Sequence, residues 1–362
     1  MNPSLPYDFL AVHGHQLCVL QSAMVWYEPA FYLPLVMVLN RISSEIFSSF
    51  SQKKRARVGL ECGPLVFLNH SRSPIAKFPV LRSRSSGGKP DIIGAYSSCE
   101  WTFRTHINDT YYRDVPYHRV ETIVEVTTKP GLAATNGAAD CLHRLQQARP
   151  DRPGCYALCG QPQGFQVLYA SPLGIKIVTA LTPWDDLHAL CDYVRSLYDP
   201  PWQHFTYDPT ISWSEKSLFS SARWTIKMTG QDYTGARILF VGYPWGSRTT
   251  VFSLKDGRYE ATTLKEHFVS LYRPYDEAQL LMIIHADGDF PGIVRLVSAE
   301  YVKRNRKVIK FTDRDTGETR LKRRLAFADT GVGLEHARSV NDLLMTFYDA
   351  LEGESRILRN LL

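Results

Sequence analysis

No stretch of this chain stays apolar over the roughly 20 residues that a membrane-crossing helix needs. The most apolar run, Ala30–Leu39, contains Pro34 and is flanked by Glu28 and Arg41. It reads as a partly buried helix over Phe31–Phe47, and no membrane contact is expected. The first residues lack the basic segment of a secretory signal. Paired cysteines are missing too. The seven cysteines are scattered from Cys18 to Cys191, and the spacing of Cys155 and Cys159 suits neither a zinc knuckle nor a redox pair. An odd, dispersed set implies reduced, buried thiols and an intracellular chain, cytoplasmic or nuclear. There is no internal repeat and no low-complexity tract.

What is present is enough for a sizeable core. The chain has 362 residues, of which 44% are hydrophobic, and its net charge is +6. That length allows one large domain or two ordinary ones. The mild basicity tolerates an anionic ligand such as ATP or nucleic acid and demands neither. Residues 1–88 read as a helical and loop extension with a basic patch at Lys53-Lys54-Arg55-Ala-Arg57 and a serine/glycine linker at Ser83–Gly88. Residues 89–200 read as an α/β domain. Strands are expected after Pro90-Asp91, at Trp101–Phe103, over Val120–Thr127, Tyr156–Leu158, Phe165–Tyr169 and Ile175–Thr179. Helices are expected over Thr135–Ala148 and Asp185–Tyr198, where leucines recur on one face. Residues 201–225, rich in proline, read as a linker.

Residues 226–362 form the second region. Ile238–Val241 and Val251–Leu254 are apolar strands flanking Gly242-Tyr-Pro-Trp-Gly246-Ser-Arg-Thr-Thr. Asp256-Gly257 is a hairpin signal. Tyr259–Phe268 is a third strand that carries Lys265, and Tyr275–Ile284 a helix that carries Glu277. Further strands are expected over Ile293–Tyr301, Val308–Phe311 and Thr319–Phe327, with Asp313–Gly317 as a hairpin tip. A helix from Ser339 has Val340, Leu343, Leu344, Phe347 and Leu351 on one stripe. A lysine on a strand after a glycine-bearing turn, followed by a glutamate on the next helix, is the set of parts with which a protein kinase holds ATP phosphates. The lysine on its own is more often a solvated side chain.

Taken together these stretches resemble the fungal-type protein kinase family. The likeness rests on Lys89-Pro-Asp91-Ile-Ile, Ile123-Val-Glu125-Val, Leu197-Tyr-Asp-Pro-Pro, Asp208-Pro-Thr-Ile211, Arg237-Ile-Leu-Phe, Gly246 to Val251, Leu264-Lys265, Phe327-Ala-Asp329-Thr-Gly331, Ala337-Arg-Ser-Val and Phe347-Tyr-Asp-Ala-Leu351. It implies an α+β chain: an N-terminal α/β region, then a kinase-like small lobe with part of a helical large lobe. By resemblance Gly246, Thr249 and Val251 belong to the ATP-covering loop. Lys265 is the ATP lysine, Glu277 its partner, and Ala328–Gly331, with Asp329 and Gly331, the hinge against adenine. Arg248 stands where the family tends to have glycine, and Pro244-Trp245 are bulky for such a loop. Neither His-Arg-Asp nor Asp-Phe-Gly occurs in the 362 residues. The expectation is a kinase-like protein without phosphotransfer that binds ATP or a protein partner. Magnesium is not expected without its ligands. An active serine/threonine kinase, if the chain is an incomplete gene product, is the alternative.

A third reading concerns the N-terminal region. Asp91, followed about 34 residues later by Glu125, echoes the restriction-endonuclease-like pattern of two carboxylates and a lysine. Such a pair on adjacent strands can hold a divalent metal beside a phosphodiester. Thr127 occupies the lysine position, and Lys129 lies two residues beyond it. A metal-dependent nuclease, an inactive relic of one and a chance match all remain open, and nucleic acid is not the expected partner.

Overall fold

The computed structural model describes residues 29–52, 63–71, 89–96, 115–128, 132–201, 206–214, 222–254, 257–273, 276–286, 288–289, 292–331, 339–340 and 344. The basic patch at 53–57, the serine/glycine stretch, the strand expected at 101–103 and nearly all of the helix expected after Ser339 lie outside them. The chain divides into two compact units, Met1–Asp208 and Pro209–Leu362, and the whole is of the α+β class. No helix among the described residues is long and apolar enough to cross a membrane.

The first unit is a six-stranded sheet in sequential order: β1 (Leu65–Asn69), β2 (Ile92–Tyr96), β3 (Val120–Val126), β4 (Cys155–Gln161), β5 (Gly164–Ser171) and β6 (Gly174–Ile177). Every neighbouring pair is antiparallel except β3 and β4. A parallel pair needs a long crossover, and helix α2 (Leu132–Ala148) supplies it. Its Ala138, Leu142 and Leu145 are fully buried. Helix α1 (Pro29–Ser49) and β1 lie inside the stretch read as an extension, yet both join this sheet. An edge strand leaves every second backbone group unpaired. Here Asn40 of α1 donates to the Phe67 carbonyl (2.9 Å) and accepts from the Phe67 N–H (2.7 Å). Ser43 donates to the Leu65 carbonyl, and Tyr198, at the end of α3 (Leu187–Tyr198), accepts from the Leu65 N–H at 2.7 Å. Side chains thus complete an edge that no further strand among the described residues covers. Beyond α2, Arg149 is 1% exposed and binds the Val120 carbonyl, Glu121 and both oxygens of Asp151.

The second unit is built on an antiparallel sheet. Its strands are β7 (Ile211–Ser214), β8 (Arg223–Met228), β9 (Gln231–Val241), β10 (Thr250–Ser253), β11 (Thr263–Ser270), β12 (Leu296–Tyr301), β15 (Lys310–Thr312) and β16 (Thr319–Phe327). The order is β12-β16-β11-β10-β9-β8-β7, with β15 also on β16. A separate ribbon pairs β13 (Lys303–Arg304) with β14 (Lys307–Val308). Helix α4 (Glu277–Ile284) packs Ala278 and Leu281 onto Leu325 and Phe327. The other face buries Trp224, Ile226, Phe252, Leu264 and Ala326. Several features depart from the sequence reading. Residues 211–214, within the expected linker, form β7. β10 and β11 pair antiparallel, as the hairpin signal implies, with Ser253 opposite Thr263; Asp256 itself lies outside the described residues, and Tyr259 leaves the expected strand to pack on Tyr233, ring centres 5.0 Å apart. The single strand expected over 308–311 is split between β14 and β15.

Candidate functional site

Alternation along β11 sends Lys265 and His267 to one face and Leu264, Glu266 and Phe268 to the other. The register sets Val251 of β10 and Leu325 of β16 on either side of Lys265. Helix α4 covers this face, and its first residue is Glu277. Lys265 Nζ donates to both oxygens of Glu277, at 2.6 and 2.8 Å. The two side chains are 25% and 29% exposed, so the pair sits at the rim of the packed face. An ammonium has three N–H donors. Two serve Glu277, and the third has no partner among the described residues.

The helix that delivers Glu277 is fixed at its start. Asp276 is its N-cap, accepting from the N–H groups of Ala278 (2.8 Å) and Gln279 (3.2 Å). An aspartate there satisfies donors that the helix itself cannot. Arg323 of β16 is also bonded to the Asp276 carboxylate. Burial would raise the Asp276 pKa, but the Arg323 bond and the helix N–H groups outweigh it and hold it below the usual range. Arg323 lies over the Tyr301 ring, 4.9 Å from its centre, and opposite His267 in the register. His267 is 2% exposed, with Nδ1 at 3.9 Å from Glu277 Oε2. Burial first, and the Lys265 charge second, pull its pKa down to about 4, so it is neutral beside the lysine. The sequence reading missed Asp276, His267 and Arg323. An aspartate directly before a helical glutamate was a legible cap, but the other two are joined to the site only by strand register.

The remaining candidates are placed as follows. The turn 242–249 joins β9 to β10 and is closed by a bond from the Gly242 N–H to the Thr249 carbonyl at 2.7 Å. Ser247 accepts from the Phe268 N–H at 2.6 Å, which anchors the turn on β11 three residues past Lys265. Gly246 has φ +100°. Arg248 has φ 42° and is 5% exposed, so an arginine holds the backbone conformation that glycine adopts freely. Thr249 lies 3.2 Å from the Ser247 hydroxyl. At the other end, Ala328 donates its N–H to the Arg295 carbonyl (3.0 Å), and its own carbonyl accepts from Thr262 (2.8 Å). Asp329 accepts from the Arg295 N–H at 2.8 Å and from its guanidinium; that N–H first, then the charge, keep its pKa low. Gly331 is exposed, with open space where a Cβ would stand.

In the first unit the β2–β3 register, continued by one residue beyond Ile92 and Val124, sets Asp91 opposite Glu125. Asp91 accepts from Tyr32 (2.8 Å) and from the Val126 N–H (2.8 Å), clasping α1 to β3. Glu125 accepts from the Cys141 thiol at 3.0 Å, and burial together with that carboxylate pushes the thiol pKa far up. Among the described residues no three His, Cys, Asp or Glu side chains converge as they would around a metal ion.

Compared with protein-family models, with curated proteins and with solved structures, the chain matches none.

Proposed function

We propose that the second unit holds a nucleoside triphosphate in the manner of a protein-kinase small lobe. One observation carries this reading: Lys265, on the second strand after a glycine-bearing turn, is gripped by both oxygens of a glutamate on the next helix. In kinases that strand lysine and helix glutamate must pair for the phosphates to be held. Here the pair is partly exposed, and the ammonium keeps one donor for a phosphate oxygen. Val251, beside Lys265, offers an apolar contact for a base. The backbone groups of Asp329, Thr330 and Gly331 make no hydrogen bond among the described residues, which suits an edge that reads a base through the main chain. The proposal concerns binding, of ATP or of a protein partner that recognises the same face.

The test is a thermal melt of the full chain with and without Mg·ATP, for wild type and Lys265→Met. A ligand at a hundred times its Kd adds about 2.7 kcal/mol of stability. The wild type should gain melting temperature with nucleotide and the variant should not, while both melt alike without it. An equal gain in the variant, or none in either, refutes the assignment.

A further inference from the structure

Between Val302 and Thr312 the chain has five basic residues, Lys303, Arg304, Arg306, Lys307 and Lys310, and no acidic one. They belong to the β13–β14 ribbon and its exit. The ribbon is firmly rooted. Val302 and Ile309 at its base are 1% and 0% exposed, and Phe311 beyond it is 5% exposed. Val302 N–H bonds the Lys322 carbonyl, Ile309 N–H the Val302 carbonyl and Lys322 N–H the Ile309 carbonyl, all at 2.9 Å.

The treatment of charge differs sharply between this ribbon and the strand behind it. Arg320, Lys322, Arg323 and Arg324 of β16 are each paired with a carboxylate. None of the five ribbon cations forms an ion pair with a described residue, and Lys303, Arg306, Lys307 and Lys310 are exposed. The tip adds a second sign. Asn305 has φ 51° and Arg306 φ 66°, the two left-handed residues of a tight hairpin turn. The usual second residue of such a turn is glycine, which adopts this conformation without strain. Arginine at that position keeps a charge at the tip against its own backbone preference.

We infer that this ribbon is a binding surface for the phosphate backbone of duplex DNA. The register pairs Lys303 with Val308 and Arg304 with Lys307, so cations project from both faces as well as from the tip. A flat anionic membrane would meet one face at a time, and the tip carries no apolar side chain to enter it. A groove walled by two phosphate strands meets both faces. The B-form major groove is about 12 Å wide and admits a two-stranded ribbon, whereas the A-form groove of duplex RNA is too narrow. The contacts are to phosphates, so no base preference follows.

The experiment is fluorescence anisotropy of the full chain with a labelled random-sequence DNA duplex over a series of salt concentrations. Each phosphate neutralised contributes about −0.9 to the slope of log K against log salt. Changing Lys303, Lys307 and Lys310 together to glutamine should flatten the slope by about 2.7 units and weaken low-salt binding at least about tenfold. Arg306→Gly should flatten it by about 0.9 while raising the melting temperature, so loss of binding is separated from loss of fold. Absence of duplex binding in the wild type overturns the inference. So does an unchanged slope in the triple variant, which would place binding elsewhere on a basic chain. Binding to phosphatidylserine vesicles in preference to the duplex overturns it as well.

Discussion

Replacing Glu266 by glutamine removes one charge from the second unit and almost none of its volume. The carboxylate is 5% exposed and receives three charged bonds: Lys322 Nζ at 2.9 Å, and Arg324 Nε and Nη2 at 2.8 and 2.7 Å. Both cations are fully buried. Glutamine offers one acceptor oxygen and turns an NH₂ toward the second cation. Arg324 keeps the Lys227 carbonyl (2.7 Å) and Thr210 (2.8 Å), and Lys322 keeps the Phe268 ring with its centre 6.0 Å away. Neither replaces a negative charge. Breaking a buried ion pair from one side costs about 3–5 kcal/mol, a large part of the roughly 5–15 kcal/mol that holds a domain together. Differential scanning calorimetry resolves the outcome, because the two units should melt as separate transitions. Glu266→Gln should lower one transition strongly and leave the other in place. Glu266→Leu combined with Lys322→Leu and Arg324→Met should recover most of the loss, since apolar residues of similar size replace buried ion pairs at little cost. A loss under about 1 kcal/mol in the single variant would refute the reasoning, for it would mean that the cluster is hydrated or neutralised by other groups.

Two further outcomes follow from the same geometry. His267 is held near pKa about 4 when folded and returns to about 6.5 when unfolded. The unfolded state therefore binds the extra proton, and stability falls as pH drops from about 6.5 to about 4, by at most about 3 kcal/mol. His267→Gln should flatten that part of a plot of urea midpoint against pH; an unchanged slope would show that this imidazole is not the group responsible. In the first unit Asp186 caps α3 by accepting from the Ala189 N–H at 3.1 Å. Asp186→Ala should cost about 1 kcal/mol and Asp186→Asn almost nothing, measured as a shift of that unit's transition alone.

Patterns with a local cause were readable in the chain. Val120–Val126 is rich in β-branched residues, α2 and α3 repeat leucines on one face, and Asp313–Gly317 closes a hairpin. The strand β8 was equally readable, since Trp224, Ile226 and Met228 are buried in alternation, but the expected linker ran to residue 225 and took in the start of this strand. What could not be read depends on partners distant in sequence. Asp91 looks like a metal ligand beside a proline, and only the fold shows it bonded to Tyr32, 59 residues earlier. Arg323 reaches Asp276 across 47 residues.

The sequence Lys265-Glu266-His267 shows how far local charge can mislead. Read in one dimension, the lysine and glutamate neutralise each other. A strand sends neighbours to opposite faces, so they cannot meet. Lys265 instead finds Glu277 at the rim, where a phosphate could also reach it, and Glu266 finds Lys322 and Arg324 in the interior, where water cannot. The same alternation runs along β16, whose Lys322, Arg323 and Arg324 divide between those two faces. Three parts of the segment 303–324 therefore differ in chemistry. One part is a buried counter-charge, one steadies α4 through Asp276, and the third is the unpaired ribbon at 303–310. Net charge sums all three alike, although the ribbon and the Lys265 rim are open to an anion and the Lys322–Arg324–Glu266 cluster is not.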